Sequence, residues 1–144
     1  PVPPLLTPTA AYALFYNNSA TGATYAAGEN IAYQSTLYNT ATADIVNNNG
    51  LITLSGGTTG KAYLVNYQVT GETANDATLA LAINGTVDSN SEIVPNSATG
   101  TSNGSYIVNV PANSTSTVAL RVVSGTVTTA SPTVGSYLSV IRIA

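Results

Sequence analysis

The side chains that could carry acid–base chemistry near neutral pH are few: Glu29, Asp44, Glu72, Asp76, Asp88, Glu92 and the single lysine, Lys61. Histidine and cysteine are absent. That removes the Ser-His-Asp and Cys-His arrangements and the usual zinc ligands. A Ser-Lys dyad would have to use Lys61, which reads instead as a solvated lysine at the start of a strand. A glycosidase-like pair would need two carboxylates facing each other across a cleft; all six fall in or beside loops, where solvated charge is expected. Asp88 with Glu92, or Glu72 with Asp76, has the chemistry of a calcium site, but at low carboxylate density. An amide bond between Lys61 and an Asn or acid is conceivable on an apolar strand. Four Asn-x-Ser/Thr sequons, starting at Asn17, Asn84, Asn103 and Asn113, are expected by chance in so Asn-, Ser- and Thr-rich a chain. The reading is therefore of a non-enzyme, with no catalytic residue, metal or cofactor assigned.

Partners are narrowed in the same way. Of 144 residues only 6% are charged, against 44% hydrophobic, and the net charge is −3. Lys61, Arg121 and Arg142 cannot neutralise the six to ten or so phosphates of an ordinary nucleic-acid site, and no basic cluster is present for anionic lipid. No apolar run reaches membrane-spanning length. Methionine and tryptophan are also missing, so few side chains are oxidisable, which suits exposure to air or peroxide. The chain opens on Pro1 and reads as part of a longer protein, with any targeting signal upstream.

The elements that must position these residues are strands. In residues 60–71, Tyr63, Val65, Tyr67 and Val69 alternate with Ala62, Leu64, Asn66 and Gln68. Aromatic and β-branched residues at period two fit a pleated sheet, and bulk on both faces predicts a central strand packed on each side. Around it the sequence predicts strands at 10–17, 29–36, 51–54, 78–83, 92–94, 105–110, 117–124 and 135–144, with a brief pairing at 44–47. Gly, Asn and Pro separate them; Asn84-Gly85 is the strongest hairpin signal. The prolines of residues 1–9 predict an extended lead-in, leaving 10–144 as one domain. Many short strands and no convincing helix predict an all-β sandwich or barrel.

The order of features resembles a known family. An aliphatic strand, Gly60-x-x-Tyr63 opening a long strand, Leu79-x-Leu81-x-Ile83-Asn84-Gly85, Val118-x-Leu120-x-Val122 and a terminal Gly135-x-Tyr137-Leu138-x-Val140-Ile141-Arg142-Ile143 are similar to the jelly-roll heads of the tumour necrosis factor and complement q-subcomponent superfamily. The nearest likeness is to the carboxy-terminal domains of BclA-type collagen-like glycoproteins of bacterial spore surfaces. The resemblance implies a two-sheet antiparallel jelly roll and a homotrimer, with the strands at 10–17, 30–36, 61–70, 105–110 and 136–143 in the sheet that faces the threefold axis.

Tyr12, Phe15, Tyr16, Tyr33, Tyr63, Tyr67, Tyr106 and Tyr137 all fall on those strands, and the strands of the other sheet carry no aromatic. Tyrosine suits a surface where a large apolar body is buried while its hydroxyl finds a partner. The expected trimer interface is therefore Tyr12, Tyr16, Tyr63, Tyr67 and Tyr106, joined by Leu138, Val140 and Arg142 from the terminal strand. Tyr137, Ile141 and Ile143 are assigned to the core, because a lone arginine is costlier inside a subunit than at an axis. The function expected is a structural head, surface-exposed at the tip of a collagen-like fibre, on a spore exosporium. The alternative is the receptor-binding tip of a phage tail fibre or an adhesin that binds surface glycans.

Overall fold

A computed structural model describes residues 11–18, 23–95, 100–129 and 136–144, with backbone only at 72–76 and 100. The lead-in expected at residues 1–9 lies outside the described residues. Ten strands follow in chain order: β1 (Tyr12–Tyr16), β2 (Thr24–Ala26), β3 (Ser35–Asn39), β4 (Ile45–Asn48), β5 (Leu51–Ser55), β6 (Lys61–Ile83), β7 (Thr86–Val87), β8 (Gly100–Val110), β9 (Thr115–Thr129) and β10 (Tyr137–Arg142). A single 3-10 turn, Ser89–Ser91, is the only helical piece among the described residues.

These strands make two antiparallel layers, as the strand patterns predict, and the layers form the jelly roll that the resemblance implies. One layer runs β3-β1-β10-β6-β8 and the other β4-β5-β9-β6, with β6 common to both. The sequence predicts two strands, at 61–70 and 78–83, split by the polar stretch around Gly71–Asp76. Instead the backbone stays paired throughout: Lys61–Gly71 faces β8, and Gly71–Ile83 faces β9 with register shifts after Gly71, Asn75 and Thr78. Such bulges bend a strand without ending it, so composition that reads as a loop carries the fold between layers.

Other boundaries also differ. β8 begins at Gly100, inside the loop expected at 96–104. The strand expected at 29–36 is not one element. Asn30 bridges to Arg121 and Ile31 donates to the Leu120 carbonyl at 2.8 Å, both in the second layer; the chain then crosses, and only Ser35–Asn39 joins β1. β2, unexpected from a Gly/Ala/Thr-rich stretch, pairs with β9 and brings Tyr25 there. The Asn84-Gly85 turn is as predicted, with φ of 52° and 82° joining Ile83 to Thr86.

Between the layers lies one core. Ala13, Phe15, Tyr63, Val65, Tyr67, Val69, Val108, Val110, Leu138 and Val140 of the first layer meet Ile52, Leu54, Leu79, Leu81, Val118, Leu120 and Val122 of the second. Three buried tyrosine hydroxyls each find a carbonyl, while that of Tyr25 accepts from Asn17 Nδ2 at 3.1 Å. Tyr63 donates to Ser55 at 2.6 Å, Tyr67 to Ser91 at 2.6 Å and Tyr33 to Gln68 at 3.0 Å. Burial disfavours the phenolate, pushing Tyr63 up to about 12 and Tyr33 higher still; the nearby Asp44 charge adds to the rise at Tyr63.

Candidate functional site

The first-layer strands have two faces, and parity decides what each can do. Inward positions fill the subunit's own core. Outward positions form an open face on which Tyr12, Leu14 and Tyr16 of β1 neighbour Ile141, Ser139 and Tyr137 of β10 in register. Ile141, Ser139 and Tyr137 in turn neighbour Leu64, Asn66 and Gln68 of β6. Beyond β6 come Ile107, Ser105 and Asn103 of β8. One row is thus apolar throughout: Tyr12, Ile141, Leu64, Ile107. The next row is polar from β10 outward, with Ser139, Asn66 and Ser105, and the row after it from β6 outward, with Gln68 and Asn103.

Large apolar groups stand exposed on this face: Tyr12 at 42%, Tyr38 at 44%, Ile107 at 53% and Ile141 at 38%. The Tyr12 and Tyr38 rings meet edge-to-face, 5.5 Å apart at 77°. Between Tyr12, Leu14, Tyr38 and Ile141 lies a hollow of about 190 Å³. No ionisable group other than tyrosine occupies these outward positions.

The expected interface set is largely redistributed. Tyr63, Tyr67, Leu138 and Val140 are buried in the subunit core, out of reach of another subunit, and Tyr106 is half-buried with its ring packed against that core. Only Tyr12 and Tyr16 of the eight lie on the open face. The core assignment of Tyr137, Ile141 and Ile143 is corrected too: Ile141 and Ile143 are exposed and Tyr137 is half-buried on the outer face. The physical reason is Arg142. It shares parity with Leu138 and Val140, but the core runs out at the strand's end. Its long side chain reaches the rim, with Nη1 3.8 Å from Asp44 Oδ2. Burial cost therefore says nothing about which face of β10 looks inward. Clustering of aromatics on one layer is likewise explained in part by the core, which takes Phe15, Tyr33, Tyr63 and Tyr67.

Lys61, Asp44, Glu29 and Asp88 are engaged in structure. Lys61 Nζ lies 2.9 Å from Asp44 Oδ2, with side chains 19% and 26% exposed; this is a solvent-touched ion pair rather than the apolar enclosure that amide formation needs. Glu29 accepts from the Ala26 amide at 2.7 Å. Asp88 accepts from the Tyr106 hydroxyl at 2.6 Å and the Asn90 amide at 3.0 Å, bonds that hold its carboxyl below the usual range. The side chains of Glu72 and Asp76 lie outside the described residues. Among the described residues no group of three or more potential ligands gathers, and no helix is long and apolar enough to cross a membrane.

Comparison with solved structures defines the fold. The chain is similar to the Eiger TNF of S. frugiperda (TM-score 0.67, 12% identity, 93% of this chain and 92% of that one). It is similar also to murine APRIL (0.66, 9%, 92% and 99%) and to the globular domain of zebrafish complement 1qA (0.54, 12%, 92% and 94%). The fold is the tumour necrosis factor and complement 1q type of jelly roll. No protein-family model matches the chain, and no curated protein sequence matches it.

Proposed function

We propose that this chain is a non-catalytic head domain that assembles into a homotrimer through the open face of β3-β1-β10-β6-β8. One observation carries the reading: that face exposes Tyr12, Tyr38, Ile141 and Ile107 together, with no charged side chain among them. Soluble surfaces seldom group large apolar residues unless something covers them, and charge depletion with tyrosine enrichment is the composition of an interface centre. The likeness in fold to TNF and complement 1q domains supports three copies. The chain lacks Cys, Met, His and Trp and is poor in charge, which suits a durable extracellular display domain. The role proposed is the tip of a collagen-like fibre on a bacterial spore.

Radical footprinting read by mass spectrometry tests the covered face. Tyr12 and Tyr38 should be protected in the protein at working concentration and become reactive on dilution. If both react like free tyrosine at every concentration, nothing covers the face and the proposal fails. For the display role, spore-surface extracts treated with bacterial collagenase should release a resistant fragment containing this domain. An intact protein under that treatment would count against the collagen-like stalk.

A further inference from the structure

Of the three cations in the chain, two share one partner. Lys61 Nζ and Arg142 Nη1 lie 2.9 and 3.8 Å from Asp44 Oδ2. The third, Arg121 of β9, makes no ion pair among the described residues. It alternates with Leu120 and Val122, which are fully buried in the core. Its side chain therefore leaves the sheet on the outer face of the second layer, across the core from the face assigned to association. Arg121 stands opposite Ala80, and Ala119 opposite Ala82. Side chains this small leave room for the arginine to lie along the sheet. Its Nε donates to Asn30 Oδ1 at 3.0 Å and its Nη1 to the Gly85 carbonyl at 3.1 Å. A guanidinium carries more N–H donors than these contacts use, and both hydrogens of Nη2 are left over. The space beside Gly85 is open, since a Cβ there would meet nothing within 4 Å. Glu29, next to Asn30 in the chain, is turned to the Ala26 amide at 2.7 Å.

We propose that Arg121 anchors a carboxylated saccharide, of the uronic-acid kind, on the outer face of the second layer. A planar carboxylate matches the planar guanidinium, which holds it through directed, charge-assisted hydrogen bonds. Lys61 and Arg142 are taken by Asp44, so a single cation is on offer here, and that suits one carboxylate better than a chain of phosphates. The groups around it are amide and hydroxyl. Asn84 accepts from the Thr117 amide at 2.9 Å, and Thr53 stands opposite Thr117 on the same outer face. Such groups both donate and accept, as sugar hydroxyls require. Held at Nε and Nη1, the arginine is already ordered, so less freedom is lost when a ligand binds. Tying Asn30 to Gly85 needs only neutral donors; a purely structural role leaves the uncompensated charge unexplained. The proposal goes beyond the association reading and does not depend on it.

The test is nuclear magnetic resonance titration of the isotope-labelled protein with trigalacturonate, with its fully methyl-esterified form and with triglutamate. Trigalacturonate should give saturable shifts at the Arg121 side-chain Nε–H and the backbone of Asn30 and Gly85, weaker as salt rises. The ester keeps the sugar and loses the charge, and should bind about tenfold or more weakly, the worth of one charge-assisted contact. Arg121→Gln should lose about as much. Asn30→Asp separates anchoring from folding. It gives Arg121 a carboxylate of its own, so the melting temperature should hold while trigalacturonate binding falls by about tenfold. Three results overturn the proposal: no shift from trigalacturonate up to tens of millimolar, an ester that binds as well as the acid, or binding that Asn30→Asp leaves unchanged. Triglutamate binding as tightly as trigalacturonate would also overturn it, by making the site one for acidic peptides.

Discussion

Ile141 stands directly opposite Leu64 on neighbouring strands, and both side chains point away from the core. One residue earlier, Val140 stands opposite Val65 and both are fully buried. A single step along β10 therefore changes what a substitution does.

Ile141→Asp should abolish self-association while leaving the subunit folded, because the new charge is solvated in the lone subunit and unpaired only in a packed interface. Val140→Asp should prevent folding, since it puts the same charge in the subunit core. Far-ultraviolet circular dichroism with sedimentation velocity separates the outcomes. Equal effects of the two variants would mean that the faces of β10 are misassigned.

How much of this was legible in sequence depends on what alternation can say. Period two in Lys61–Thr70 and Thr117–Ser124 separates two faces, and both segments are strands. It does not say which face looks inward when both are apolar, as with Leu138 and Val140 against Tyr137 and Ile141. Only the partner layer decides that, and partners across a sandwich are distant in sequence. The continuity of β6 through Gly71 was hidden for a related reason: its Gly, Thr and Asn residues are kept in a strand by pairing with β9, not by their own preference. Ile107 and Tyr38, exposed apolar residues that accompany Tyr12 and Ile141 on the open face, were missed. The signal available was their parity, opposite to Val108 and Val110 for Ile107.

Gly104 lies against the Tyr67 ring so closely that an added Cβ would sit 2.7 Å from ring atoms and the hydroxyl. That ring is buried and anchored to the Ser91 carbonyl, so it cannot swing aside. Gly104→Ala should cost about 1–3 kcal/mol by overpacking, measured by chemical denaturation. A neutral result would show that β8 moves freely at this point.

Alkaline stability should follow the buried tyrosines. Tyr63 is raised from 10.0 to about 12 in the folded chain, so the unfolded chain ionises first. The stability this phenol contributes is complete below pH 10 and declines as pH rises toward about 12; Tyr33, raised further, extends the loss. Tyr63→Phe should be less stable at neutral pH, because the Ser55 carbonyl loses its donor, and should lose less stability between pH 10 and 12. Denaturation midpoints across that range check this. Parallel pH curves for the two proteins would contradict it.

The central claim is that three copies meet on the uncharged open face, and absolute molar mass by light scattering addresses it most directly. The account predicts three times 14.5 kDa at micromolar concentration, unchanged between low and high salt because no ion pair at the proposed contact is there to be screened. A stable mass of one subunit under those conditions would contradict it.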